Sequence, residues 1–195
     1  MSINVLEGSR LAGGNPARGR VAHDYYATAP KSTRAILDVL ELNGSMLEPA
    51  CGEGHISEVL KEYYPNNEVV STDLVNRGYG EGEIDFLEHD YDRKFDVVIT
   101  NPPFKYMREF VEKGLEISND KVIMFGKIQF LEGQRRREFL ESSPLKYVYV
   151  FSERQNPMRN GSPVDENGKK WSSTMCFAWY VWEQGYEGDP IIKWL

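Results

Sequence analysis

The sequence predicts an α/β fold: a mostly parallel sheet of seven strands with helices on both faces and an antiparallel pairing at its end. Three observations carry this expectation. Between Met46 and Leu140, short apolar runs alternate with amphipathic helical runs, the pattern of strand–crossover–strand units. Phe95 to Thr100 is almost continuously apolar, as a strand covered on both faces has to be. The last two strand signals are joined by a long polar stretch without a helical period, which antiparallel neighbours permit.

Taken in order, residues 1–22 read as a flexible basic arm. Gly8, Gly13, Gly14, Pro16 and Gly19 interrupt any period, and Arg10, Arg18 and Arg20 supply the charge. Residues 23–195 read as a single domain. A helix opens at Pro30, whose fixed φ suits a first turn, and carries Ile36, Leu37, Leu40 and Leu42 to a stop at Asn43-Gly44. Met46-Leu47 is a short strand, followed by the loop Glu48 to Gly54 and a helix with Ile56, Val59 and Leu60. Glu68 to Thr72 is the next strand, ending at Asp73, and Ile84 to Leu87 is short and extended. After Phe95 to Thr100 comes a helix with Met107, Phe110, Val111 and Leu115, then a strand, Val122 to Phe125. Leu131 to Leu140 is a polar helix holding Arg135-Arg136-Arg137. Tyr147 to Phe151 and Met175 to Trp182 form the expected antiparallel pair at the sheet's edge, and residues 155–173 between them read as a mobile loop over a substrate.

The composition narrows the function. A chain of 195 residues with 41% hydrophobic content has enough material for one real core. No apolar run approaches the ~18 residues that span a bilayer, and Met1 to Arg20 lacks a signal peptide's apolar stretch. Cys51 and Cys176 match no zinc spacing, so free thiols in a reducing cytoplasm are expected. His23, His55 and His89 are isolated and read as surface or loop histidines, with no metal site. A net charge of −7 argues against a general nucleic-acid coat but not against a local basic face.

Two motifs carry chemistry. Glycines at 52 and 54, after a strand and before a helix, let backbone approach a ligand, and the helix's first amides face it. Asp73 ends the next strand ~20 residues on, where a carboxylate can accept from both hydroxyls of a ribose. The full G-x-G-x-x-G of dinucleotide enzymes is absent. Asn101-Pro102-Pro103-Phe104 is the sharper signal. Two prolines stiffen the exit of a central strand, so that the Asn101 side-chain oxygen and the Pro102 carbonyl present two acceptors beside the flat face of Phe104. That arrangement grips a planar amino group.

With these residues in view, the chain resembles the class I S-adenosylmethionine-dependent methyltransferases, in the amino-group branch typified by DNA adenine-N6 enzymes. The resemblance runs from about Tyr25 to Trp182 and implies a Rossmann-like fold. It assigns cofactor binding to Glu48, Ala50, Gly52 and Gly54, to Asp73 at the ribose, and to Asp85 and Phe86 at the adenine. Tyr26 and Thr28, within Tyr25 to Pro30, are similar to a segment that closes over the cofactor's methionine end. Asn101 to Phe104 matches the catalytic motif in its adenine form, with Asn101 also touching the cofactor. The protein-glutamine enzymes of the branch usually carry Tyr at the position of Phe104. The residues from Arg154 onward are similar to small methyltransferases of phages and prophages. The implied reaction is methyl transfer to adenine N6 in DNA, with a flipped-out base stacked on Phe104. From the residues themselves, Arg135, on a polar helix that reads by default as a solvated face, and Arg154 and Arg159, at the start of the polar loop, are candidate phosphate contacts on the substrate. An RNA adenine, a protein glutamine, or a cofactor-binding module without turnover are the alternatives. No target-recognition domain is evident, so specificity would come from loops or a partner chain.

Overall fold

The computed structural model describes residues 26–155, 158–159, 164, 167–168 and 175–195. The expected arm of residues 1–22, His23, Tyr25, and Lys169, Lys170 and Trp171 of the polar loop lie outside the described residues. In chain order the elements are β1 (Tyr26–Ala27), α1 (Pro30–Leu37), β2 (Met46–Glu48), α2 (His55–Tyr63), β3 (Val69–Ser71) and β4 (Phe95–Thr100). They continue with α3 (Met107–Ile117), β5 (Ser118–Lys127), α4 (Gln134–Ser142), β6 (Leu145–Val150), β7 (Met158–Arg159), β8 (Phe177–Glu183) and β9 (Ile191–Trp194). Short 3-10 turns at Phe104–Tyr106 and Ile128–Leu131 precede α3 and α4.

Seven strands form one sheet in the order β3-β2-β4-β5-β8-β6-β9. β3, β2, β4 and β5 are mutually parallel, β8 runs antiparallel to both β5 and β6, and β9 is parallel to β6. The sheet therefore has the strand number and mixed character expected. Its edge differs. The antiparallel pair β6–β8 is not outermost, because β9 adds beside β6 and becomes the edge. Ile84 to Leu87 is no strand: Asp85 opens a turn there, with the N–H groups of Glu88 and His89 both donating to its carbonyl. Near it only an isolated bridge, Thr72 to Glu81, continues the pairing. α1 stops at Leu37, yet Leu40 and Leu42 stay buried, so the apolar period persists beyond the helix.

Period-two alternation divides the core between the two faces. Val97 and Ile99 of β4 look toward α1 and α2, where they meet Ile36, Leu60, Ile123 and Trp179. Val98 looks the other way, toward Met107, Phe110 and Val111 of α3, Phe139 of α4, and Tyr180 and Trp182. Each fully buried side chain of this size contributes ~1.5–3 kcal/mol over its exposed state. α3 lies close on β5 because Gly114 has no side chain there: a Cβ would come within 3.0 Å of Val122 Cγ1.

The polar ends of Trp179, Tyr180 and Trp182 are satisfied. Trp179 Nε1 donates to the Ser32 carbonyl at 2.9 Å, and Ser32 Oγ donates to Gln155 Oε1 at 2.7 Å. The start of the polar loop is thereby tied to α1 and β8. Farther along that loop, β7 pairs antiparallel with β1, setting Tyr26 opposite Arg159 and Ala27 opposite Met158.

Candidate active site

β2 is followed in sequence by β3 on one side and has β4 on the other, so the strand order reverses at β2 and opens a crevice at the carboxyl ends of the strands. A cavity of about 400 Å³ lies there, within the range of small-molecule sites. Its lining brings together Tyr26 and Thr28 from β1 and its exit, Glu48 and Ala50 from β2 and the loop after it, Asp73, Asp85, Phe86, and Asn101 to Phe104. Segments distant in sequence thus meet at one place.

The two glycines of the loop shape this crevice without lining it. Gly52 and Gly54 have φ of +56° and +83°, and a Cβ on Gly54 would lie 2.5 Å from the Tyr79 ring. Neither is among the lining residues. Gly52 N–H donates to Asp73 Oδ2 and Val75 N–H to Asp73 Oδ1, both at 2.8 Å. Each oxygen keeps a second acceptor position, so the carboxylate can still receive hydroxyls. Asp85 Oδ1 accepts from Leu87 N–H at 3.1 Å and faces the same cavity. Phe86 is 2% exposed and packs on Phe110 with ring centroids 4.9 Å apart, so it is chiefly a core residue with one edge at the wall.

Glu48 is fully buried at the end of β2. Ser57 donates to its Oε2 from the backbone N–H at 2.8 Å and from its hydroxyl, tying β2 to α2. Burial pushes the carboxyl up to about 8, against the opposing effect of the two Ser57 bonds. Beside it, burial first and then the Glu48 and Asp73 carboxyls push the Cys51 thiol up to about 12. Cys51 is therefore a packing residue of the loop, not a nucleophile.

Asn101 stands where β4 ends. Its Nδ2 donates to the Tyr26 carbonyl at 2.7 Å, which fixes the amide's orientation and leaves Oδ1 as the acceptor. The Pro103 carbonyl accepts the Tyr106 N–H at 2.8 Å, which starts the 3-10 turn and carries Tyr106 to the rim. Phe104 is half-buried, 6.0 Å from Phe177 between ring centroids, with Lys127 Nζ 4.6 Å from its own centroid.

Of the arginines expected on a substrate, Arg135 and Arg154 are exposed and do not line the cavity. Arg159 is described only through its backbone in β7. The arginine triplet divides its work: Arg136 donates to the Gln129 carbonyl at 3.0 Å and to that of Glu132, closing the turn before α4, and Arg137 pairs with Glu141 at 2.8 Å.

The lining also contains residues that sequence reasoning missed. His55, expected at the surface, lines the cavity, with its Nδ1 buried and without a hydrogen-bond partner, and Arg77 and Tyr106 share the wall. The position of His55 directly after Gly54 was the one available signal. Thr28, 5% exposed, likewise holds its Oγ1 buried and unpartnered there. Carboxylates with open acceptor positions around a cavity of this size match S-adenosylmethionine in hydrogen-bonding character.

No protein-family model matches the sequence. The chain is 32% identical over 69 residues, 31% of its length and 18% of the relative's, to the type II methyltransferase M.CvrRI of Paramecium bursaria Chlorella virus XZ-6E. It thus spans under a fifth of that relative. A methyltransferase from Pyrococcus furiosus superposes with a TM-score of 0.55 at 16% identity, covering 93% of this chain and 96% of that one. A predicted O-methyltransferase of Agrobacterium tumefaciens gives 0.58 at 12% identity, with 86% of each chain covered. At such identities the likeness concerns the fold, and the fold of this chain is that of the class I methyltransferases.

Proposed function

We propose that the protein transfers a methyl group from S-adenosylmethionine to the exocyclic N6 amine of adenine, in DNA. The observation that carries the reading is the tethered amide of Asn101, whose Nδ2 is spent on Tyr26 at 2.7 Å so that Oδ1 serves as an acceptor at the cavity wall. When bound, the cofactor supplies a methyl on a sulfonium, an electrophile that needs no activation by the protein.

The chain's own residues act on the other partner. An adenine amine is a weak nucleophile because its lone pair is delocalised into the ring. Acceptance of its two hydrogens by Asn101 Oδ1 and the Pro102 carbonyl favours a pyramidal nitrogen and stabilises the positive charge that develops on it. Phe104 offers the base a face to stack on, and the stiff Pro102-Pro103 segment holds acceptors and ring in one geometry. Thr28, His55, Asp73 and Asp85, all on the cavity wall, would hold the cofactor. A base in a duplex does not reach a crevice of this depth, so the target is extruded before transfer.

The viral relative's printed name, a type II methyltransferase, supports the reading. The test combines calorimetric binding of S-adenosylmethionine with tritiated methyl transfer to duplex DNA, structured RNA and protein in competition. Label in DNA, recovered as N6-methyladenine, is expected. Absence of cofactor binding overturns the reading, and label confined to RNA or protein replaces the substrate.

A further inference from the structure

We propose that Tyr79, a residue outside the cavity, is a positioning residue for the cofactor: its ring backs the glycine loop while its hydroxyl fastens residues 74–79, part of the cavity wall, to α2. The proposal rests on the S-adenosylmethionine reading of the cavity and not on the identity of the methyl acceptor.

Residues 74–79 leave the sheet at Asp73, and the chain returns at Glu81. The return is pinned to β3, where Glu81 N–H donates to the Ser71 carbonyl and Asp73 N–H to the Glu81 carbonyl, both at 2.9 Å. Within this excursion Leu74, Val75 and Arg77 line the cavity beside the Asp73 carboxylate. Tyr79 does not line it. Its side chain reaches α2 instead. The hydroxyl donates to Glu58 Oε1 at 2.6 Å and accepts from Lys61 Nζ at 2.8 Å, and the same ammonium lies 4.9 Å from the ring centroid. An exposed Glu58–Lys61 pair alone would hold little. With the phenol between opposite charges, both of its hydrogen bonds are charge-assisted.

The ring has a second task. It lies against bare backbone at Gly54, in the space that a Cβ would take. Gly54 N–H donates to the Cys51 carbonyl at 2.8 Å, and Cys51 Sγ donates to the Tyr79 carbonyl at 3.6 Å. Ring and carbonyl of one residue thus hold both ends of the turn 51–54. Cys51 and His55 face the cavity from that turn, and Gly52 N–H holds Asp73 Oδ2. A turn backed in this way is kept from retreating when a ligand presses on it, so less ordering is left for the moment of binding. Asn101 stands on another strand, at the end of β4. The brace therefore bears on cofactor affinity and leaves the transfer step alone.

The full-length protein is titrated calorimetrically with S-adenosylmethionine. Tyr79→Phe, which keeps the ring and loses the hydroxyl, is expected to raise Kd about 5-fold. Tyr79→Ala, which also frees the turn, should raise it ~30-fold. Glu58→Ala should match Tyr79→Phe, the double variant should be no worse than either, and Glu58→Gln, which still accepts from the phenol, should recover most of the loss. In tritium transfer to DNA, KM for the cofactor should follow Kd while kcat at saturating cofactor stays within about 2-fold of the parent. Wild-type Kd in both Tyr79 variants overturns the brace. So does a fall in binding stoichiometry at unchanged Kd, which marks damaged folding alone, and so does a loss confined to kcat. A parent protein that binds no S-adenosylmethionine overturns the cofactor reading and the brace together. A parent that binds it but methylates no DNA overturns only the choice of acceptor, and the calorimetric comparison still decides the brace.

Discussion

Asn101 is held from behind. With its Nδ2 committed to the Tyr26 carbonyl, rotation of the amide is suppressed, and in the proposed reaction the oxygen would need no reorganisation to receive an amine. Asn101→Ala is expected to lower kcat for methyl transfer by ~10²–10³, as loss of one preorganised polar group does elsewhere, in a steady-state tritium assay. Wild-type turnover in that variant would remove Asn101 from the mechanism. The cysteines give an independent check of the local electrostatics. Cys176 is exposed, whereas Cys51 is buried with its thiol pushed up to about 12. Iodoacetamide at neutral pH should therefore alkylate Cys176 and spare Cys51, as read by peptide mass spectrometry. Asn101-Pro102-Pro103-Phe104 was legible as a motif because its chemistry lies in four consecutive residues. His55, Arg77 and Tyr106 were not, because their relevance arises where separate loops converge on one cavity. A solitary histidine carries no spacing to read.

Among the elements, β8 carries the most side-chain bulk: every residue from Phe177 to Trp182 is buried, and the strand is hydrogen-bonded on both edges. Its Trp179 reaches α1 through the Nε1 bond to the Ser32 carbonyl. Trp179→Phe keeps an aromatic ring but removes that bond and some buried area, and should lower unfolding free energy by ~1 kcal/mol in a urea titration. α3 depends on Gly114 in a different way. Gly114→Ala sets a ~1 kcal/mol gain in helix propensity against a tight contact of its Cβ with Val122, and the stability change in a urea titration, with an unchanged m-value, is expected to stay within ~1 kcal/mol. β4 and β8 were legible because burial on both faces leaves a nearly unbroken apolar run. β9 gave no such signal: its four residues are all exposed, with Trp194 at 70%, so no alternation marks it. Ile84 to Leu87 misled for the opposite reason. Its apolar residues serve a turn that inserts Phe86 into the core, and apolar content alone does not separate a turn from a strand.

For the molecule as a whole, the buried Glu48 links stability to pH. Its carboxyl is raised from 4.5 to about 8 by burial, so between those values the unfolded chain loses its proton while the folded chain keeps it. Folding then binds a proton, and the stability from this group, complete below 4.5, declines as pH rises toward 8. The slope reaches ~1.4 kcal/mol per pH unit at its steepest. Glu48→Gln should flatten that decline in thermal or urea unfolding of the cofactor-free protein, and an unchanged profile would show that Glu48 is ionised in the fold. The alternation of strand and helix made the parallel half of the sheet legible, since crossovers impose it. The order of the last three strands was not, because antiparallel and parallel neighbours there are chosen by packing between faces rather than by local pattern.

The bond between Tyr26 and Asn101 bridges 75 positions. A fragment trimmed to begin after Tyr26 would retain every strand of the large sheet, melt much as its parent does, and still be silent in a transfer assay. Expression designs that shorten the leading segment, or fuse a tag against it, therefore put at risk the proposed reaction, whose acceptor lies far along the chain.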